Sequence, residues 1–276
     1  MQDERRIAAH YAHGDLEQTI LEALRAAGKD PERLQPADLS PVDEFHIGGR
    51  RATADFAAEL GLQPGMHLLD IGCGIGGPSR YFAGEQDCTV TGIDLSEEYV
   101  AVAAALSRRV GLEGRTSYRQ ASALALPFAA GTFDGAYMLH VGMNIADKAR
   151  LFAEARRVLR PGAIFGIYDV LRESADDFAY PVPWSAEPAT NFIADAATYR
   201  GALAAAGFAI VKERRRREFA IEFFRQLRER MAESGPSPLG LQIVMGATAP
   251  QKVANMAALL DRGVIAPTEL ICRASG

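Results

Sequence analysis

The chain has 276 residues, 48% of them hydrophobic, with a formal net charge of −5, which suits one α/β domain with additions and leaves no apolar stretch near the roughly twenty residues of a membrane span. Its three cysteines, Cys73, Cys88 and Cys272, exclude a disulfide framework and lack paired metal-ligand spacing, and the acidic balance disfavours a nucleic-acid partner. The opening Met-Gln-Asp-Glu-Arg-Arg has no apolar segment of a secretory signal behind it, so the expectation is a cytoplasmic protein with no metal, no membrane contact and no nucleic acid, a homodimer being allowed.

Residues 1–60 read as an N-terminal helical cap. Apolar Leu16, Ile20, Leu21 and Leu24 mark one helix, Pro31, Pro36 and Pro41 a proline-rich join, and Arg50 to Leu60 a second helix. His10 and His13 read as surface residues of the first helix. Phe45-His46-Ile47-Gly48-Gly49 places a histidine beside two glycines before a helix, a setting for backbone approach to a ligand. His46 is therefore a candidate catalytic residue and Phe45 a candidate substrate wall, with a packed histidine as the alternative.

The core, residues 61–216, begins with an apolar strand that ends in Asp70-Ile71-Gly72-Cys73-Gly74-Ile75-Gly76 and enters a helix at Pro78. Glycines at alternate positions allow a sharp turn and close approach of backbone N–H groups to a nucleotide-like ligand, so Gly72, Gly74 and Gly76 are candidate cofactor contacts. The run through Gly77 also satisfies the dinucleotide pattern G-x-G-x-x-G. Asp70 argues against a diphosphate there, since an anion at the strand end repels pyrophosphate and attracts a cationic amino-acid headgroup. Asp94, followed by Leu95, closes the next strand, Cys88 to Ile93, at the spacing where an acid grips both ribose hydroxyls. That contact fits NAD and other adenosine ligands alike.

Ser96 then caps a helix over Glu97 to Val110. After the strand Thr116 to Arg119 comes Ala121-Ser122-Ala123-Leu124-Ala125-Leu126-Pro127-Phe128. The fourth strand, entered through Gly131-Thr132-Phe133-Asp134, ends at Leu139-His140-Val141-Gly142-Met143-Asn144. His140 is a histidine at the ligand-binding rim and a candidate general base; its alternative is a packed imidazole. A helix from Ala146 to Leu159, a strand from Ala163 to Val170, a helix from Ala194 to Ala206 and a strand from Phe208 to Lys212 complete the alternation, which predicts a doubly wound, mostly parallel sheet. Between them Trp184, in Pro181-Val182-Pro183-Trp184, reads as a pocket wall. Lys212 to Arg217 reads as the solvated end of an element. Residues 217–264 read as a helical substrate-cover insertion, with helices Ile221 to Ala232 and Lys252 to Leu260. Residues 265–276 read as the final core strand, centred on Glu269 to Ala274.

These ordered motifs, with Arg157-Val158-Leu159-Arg160-Pro161-Gly162, resemble class I S-adenosylmethionine-dependent methyltransferases. The likeness implies a Rossmann-like seven-stranded sheet, S-adenosylmethionine as cofactor with S-adenosylhomocysteine as product, and a small-molecule acceptor. It also implies cofactor contacts from Asp70, Asp94, Ser122, Ala123 and Leu139, with Ser122 standing where the family carries an adenine-binding Asp. Gly72 to Arg80 and Met143 to Lys148 look like the group of sarcosine/dimethylglycine and phosphoethanolamine N-methyltransferases. The expected acceptor is accordingly an amine nitrogen, with Met143 and Asn144 beside it. By analogy with the phosphobase enzymes, Tyr11 is expected to partner His140. O- or C-methylation of an aromatic, quinone or polyketide-like compound is the alternative. More remote readings are a nicotinamide oxidoreductase and a non-catalytic cofactor-binding protein.

Overall fold

The computed structural model describes residues 2–11 and 14–276; His13 lies outside them. Strands β1 (His67–Ile71), β2 (Thr89–Asp94), β3 (Thr116–Gln120), β4 (Phe133–Leu139), β5 (Leu159–Arg172), β6 (Phe208–Arg215) and β7 (Ile265–Ala274) form one sheet in the order β3-β2-β1-β4-β5-β7-β6. All pairs are parallel except those of β7, which runs antiparallel to β5 and β6. The sheet is doubly wound and mostly parallel, as the alternation of elements predicts, with the seven strands that the resemblance implies. Chain order reverses between neighbours β1 and β4, and loops leaving two such strands in opposite directions open a crevice at their carboxyl ends.

Alternation along each strand decides which helices cover which face. Leu69, Ile71, Met138 and Phe165 are buried with Leu151 and Phe152 of α7 (Lys148–Val158) and with Tyr199 and Leu203 of α8 (Ala196–Ala205). Leu68, Tyr137 and Ile164 point the other way, against Phe56 of α4 (Gly49–Leu60) and Phe82 of α5 (Gly77–Glu85). Ser96 caps α6 (Glu97–Arg109), accepting from Tyr99 N, as its residue type requires.

The proline-rich join differs from expectation. After α1 (Gln2–His10) and α2 (Leu16–Ala26), it folds as α3 (Pro36–Asp43). Pro36 sits in the first turn, where no N–H is needed, and Gln35 and Asp38 exchange capping bonds. Ser40 Oγ donates at 2.9 Å to Ala37 O, the carbonyl that Pro41 cannot serve.

Strands β5 and β7 both begin about four residues earlier than their apolar cores suggest, because Leu159 pairs with Phe133 and Ile265 with Arg172. Between β6 and β7 lie α9 (Arg217–Ser234), α10 (Gln242–Met245) and α11 (Ala249–Asp261). The basic run is only partly solvated: Lys212, Glu213 and Arg215 are exposed, whereas Arg216 is buried. Lys212 pairs with Glu59, Arg214 with Glu269, Arg215 with Glu173, and Arg216 with both Asp55 and Glu269, which ties α4 to the sheet. No helix of the described residues is long and apolar enough to cross a membrane, and none of their His, Cys, Asp and Glu side chains group as a metal site.

Candidate active site

The loop leaving β1 turns through Gly72, Gly74 and Gly76, all at positive φ. At Gly72 a Cβ would lie 2.5 Å from Val141 of the β4 loop, so glycine is what lets the two loops meet. Four amides of this turn already have partners. Gly72 N and Cys73 N donate to Ile93 O at 2.8 and 2.9 Å, and Gly76 N to Cys73 O at 2.9 Å. Gly74 N donates to Asp94 Oδ2 at 3.0 Å. The expectation that bare N–H groups face the ligand is thus corrected: these four have partners, and a diphosphate would not find them free.

Asp70 is buried beneath the turn and does not line the cavity. Its Oδ2 accepts from Ser79 Oγ at 2.6 Å and from Tyr137 OH at 3.1 Å, and burial pushes its carboxyl up to about 7. It braces β1, β4 and α5 where direct attraction of a headgroup was expected. Gly76 likewise stands off the cavity, its Cα face closed by Tyr118 and Arg80.

A cavity of about 280 Å³ opens above β1 and β4. One end is formed by Gly72 and Gly74, by Asp94 and Leu95 after β2, and by Ser122 and Ala123 after β3. Asp94 is held by Gly74 N and, through Oδ1, by Ser96 N at 2.9 Å, with lone pairs left over for ribose hydroxyls. The other end holds Leu139 at the end of β4, His140 and Asn144 beyond it, Phe45 and His46 from the segment after α3, and Tyr11 just after α1.

His140 adopts the left-handed conformation at φ +54°, uncommon for a residue with a side chain. Its Nε2 is buried without a hydrogen-bond partner. Burial, and secondly the neighbouring His46, hold its pKa well below the ordinary histidine value, so the ring is neutral near pH 7. His46 lies 5.9 Å away between ring centroids. Its Nε2 is 3.1 Å from Gly49 O, and a carbonyl can only accept, so that nitrogen carries the proton. Burial pushes His46 down to about 4. Beside it Thr53 Oγ1 donates to Glu44 Oε2 at 2.7 Å, and burial raises Glu44 to about 8.

Several expectations shift. Tyr11 lines the cavity, but its hydroxyl donates to Asn144 Oδ1 at 3.2 Å; no bond to His140 forms. Met143 and Trp184 are not wall residues. Both are buried in a separate apolar cluster with Val182 and Phe224, where Trp184 Nε1 donates to Asn191 Oδ1 at 2.9 Å. What faces the cavity instead is Phe192, placed by its N–H donating to Met143 O at 3.0 Å. His10 is half-buried against Pro183 O at 3.1 Å, not a surface residue. Glu4, Asp43, Tyr99 and Val244 also line the cavity. They come from separate elements without a motif, and sequence reasoning missed them.

Asp43 is fixed from below by Arg80, whose Nη2 donates to Asp43 Oδ2 at 2.7 Å and to Ile75 O at 2.8 Å. Burial, the largest single influence, lowers the Arg80 pKa, but the charge and hydrogen bond of Asp43 together with Tyr118 and Glu44 outweigh it and hold the guanidinium above its ordinary value. The described lining residues include four carboxylates, Glu4, Asp43, Asp94 and Asp147, and no Lys or Arg.

A family model described as a methyltransferase domain matches residues 69–167. The sterol 24-C-methyltransferase ERG6B of Gibberella zeae is 35% identical over 115 residues, 42% of this chain and 30% of that protein. The O-methyltransferase cnsE of Penicillium expansum is 32% identical over 179 residues, 55% of this chain and 65% of that one. The chain thus spans less than two thirds of the length of these curated relatives. Among solved structures, phosphoethanolamine N-methyltransferase 2 of Haemonchus contortus, in complex with phosphomonomethylethanolamine and S-adenosylhomocysteine, superposes with a TM-score of 0.73 at 18% identity. That match covers 93% of this chain and 57% of the other. Carbon, oxygen and nitrogen acceptors are all represented among these names.

Proposed function

We propose that this chain, a member of the class I methyltransferases through its residues 69–167, moves the methyl group of S-adenosylmethionine to an amine nitrogen of a small, largely apolar acceptor. The carrying observation is that the acceptor end, with His140, opens into the same cavity as the glycine turn and Asp94. The residues present fit the donor. Asp94 keeps acceptor capacity for two ribose hydroxyls, Leu95 and Ala123 offer apolar walls to a base, and four amides of the turn are already engaged and not open to a diphosphate, which weighs against the nicotinamide reading. Asp94→Ala is expected to weaken cofactor binding by about 1 to 3 kcal/mol through lost charged hydrogen bonds, measured by isothermal titration; unchanged affinity would move the ribose elsewhere.

When bound, S-adenosylmethionine supplies an electrophilic methyl carbon on a sulfonium. The chain has to align the acceptor, exclude water and remove one proton. Phe45, Tyr11 and Phe192 supply the apolar enclosure. His140, neutral and on the wall of the cavity, takes the proton. Asn144, held by Tyr11, is placed to orient a polar group of the acceptor. A lining with four carboxylates, of which only Asp43 is shown paired with an Arg (Arg80, beneath the wall), and no Lys or Arg of its own disfavours acceptors bearing phosphate, diphosphate or carboxylate, and favours an amine. We read residues 1–60 and 217–264 as the covering segments that choose it.

A hydroxyl acceptor is the second reading, favoured by the neutral His140 imidazole on the cavity wall, which suits removal of a hydroxyl proton. Labelled S-adenosylmethionine offered with apolar amines, phenols, quinones and phosphoethanolamine is expected to mark the amines and spare the phosphobase. Labelling of phenols alone would install the second reading, and labelling of phosphoethanolamine would overturn the charge argument.

A further inference from the structure

At the end of the cavity beyond Asp94, α1 brings a carboxylate onto the loop after β3. Ser122 Oγ donates to Glu4 Oε1 and accepts from Leu124 N at 3.0 Å. The hydroxyl's one proton is therefore committed to Glu4. α1 and the Tyr11 just beyond it are in turn held against the cavity by Arg6 to Glu187 at 2.6 Å, His10 to Pro183 O at 3.1 Å and Tyr11 to Asn144 at 3.2 Å. Glu4 thus lines the cavity on a helix with several anchors, beside the loop where an adenosine gripped at Asp94 would lay its base.

A hydroxyl both donates and accepts, so Ser122 alone would receive a 6-amino or a 6-oxo purine almost equally. A carboxylate only accepts. We propose that Glu4 is a cofactor-binding residue: its carboxylate, steadied by Ser122, accepts from the exocyclic amino group of adenine, so that α1 reads the base as it covers it. This rests on the assignment of S-adenosylmethionine as donor. It gives the N-terminal helix a part in recognising the cofactor as well as in enclosing the acceptor.

The test is isothermal titration of the whole chain with S-adenosylhomocysteine and with its 6-oxo counterpart, S-inosylhomocysteine. The wild type is expected to prefer the adenine compound by roughly tenfold or more, the worth of one hydrogen bond to a charged acceptor. Glu4→Ala is expected to erase most of that preference by weakening the adenine compound while leaving the inosine compound nearly unchanged. Equal weakening of both ligands would mean that Glu4 merely docks the helix, and an intact preference would mean that the base is read elsewhere; either overturns the proposal. A wild type that binds neither compound would instead overturn the donor assignment beneath it.

Discussion

Replacing His140 by alanine is expected to lower turnover about a hundredfold or more, the usual worth of a positioned general base, while cofactor affinity stays almost unchanged. The wild-type pH profile should carry the same signature. The base works only when neutral, so the rate falls as pH drops through its pKa, and a pKa held well below the ordinary 6.5 places that acid limb below pH 6.5. The alanine variant should lose the limb. An unchanged kcat, or a limb that survives the substitution, would make His140 a packing residue. His140→Gly separates chemistry from folding. At φ +54° a side chain is strained, so the glycine variant should be inactive yet more stable than the alanine variant by about 1 kcal/mol or more, read from denaturant midpoints.

Arg80→Ala is expected to cost about 3 to 5 kcal/mol of stability, because it strands Asp43 as a buried carboxylate without its cation. Arg80 is 1% exposed and also donates to Ile75 O, so its loss frees the glycine turn together with the segment that carries Phe45 and His46. The paired change Arg80→Met with Asp43→Leu should cost clearly less than Arg80→Ala alone, since no unpaired charge remains. Urea denaturation of the variants decides it; a paired variant as unstable as the single one would show that packing of the guanidinium, and not its charge, holds this corner.

Much of the fold was legible because its signals are local. Apolar runs separated by glycine turns and capped helices place every core strand, and a capping serine such as Ser96 announces its helix within three residues. Half of the site is equally local: Gly72, Gly74, Asp94 and Ser122 sit at strand ends, where topology alone sends them to one crevice. The other half depends on which side of a distant element faces inward. Nothing near Glu4 or Val244 in the chain distinguishes them from ordinary helix residues; only tertiary docking brings them to the cavity. Trp184 and Met143 err in the opposite sense, because a proline-framed aromatic reads the same whether it walls a pocket or fills a core. Asp70 shows a third kind of miss. The strand end was identified correctly, but the hydroxyls of Ser79 and Tyr137 compete for the carboxylate and turn it inward.

The antiparallel seating of β7 beside β6 has a wider consequence. Arg215 and Thr268 are cross-strand partners, so the whole excursion from 217 to 264 leaves and rejoins the sheet through a gap of about 5 Å, the spacing of adjacent strands. Such a segment can be exchanged like a cassette, its length and composition changing without any shift of register in the strands that carry Asp94 and His140.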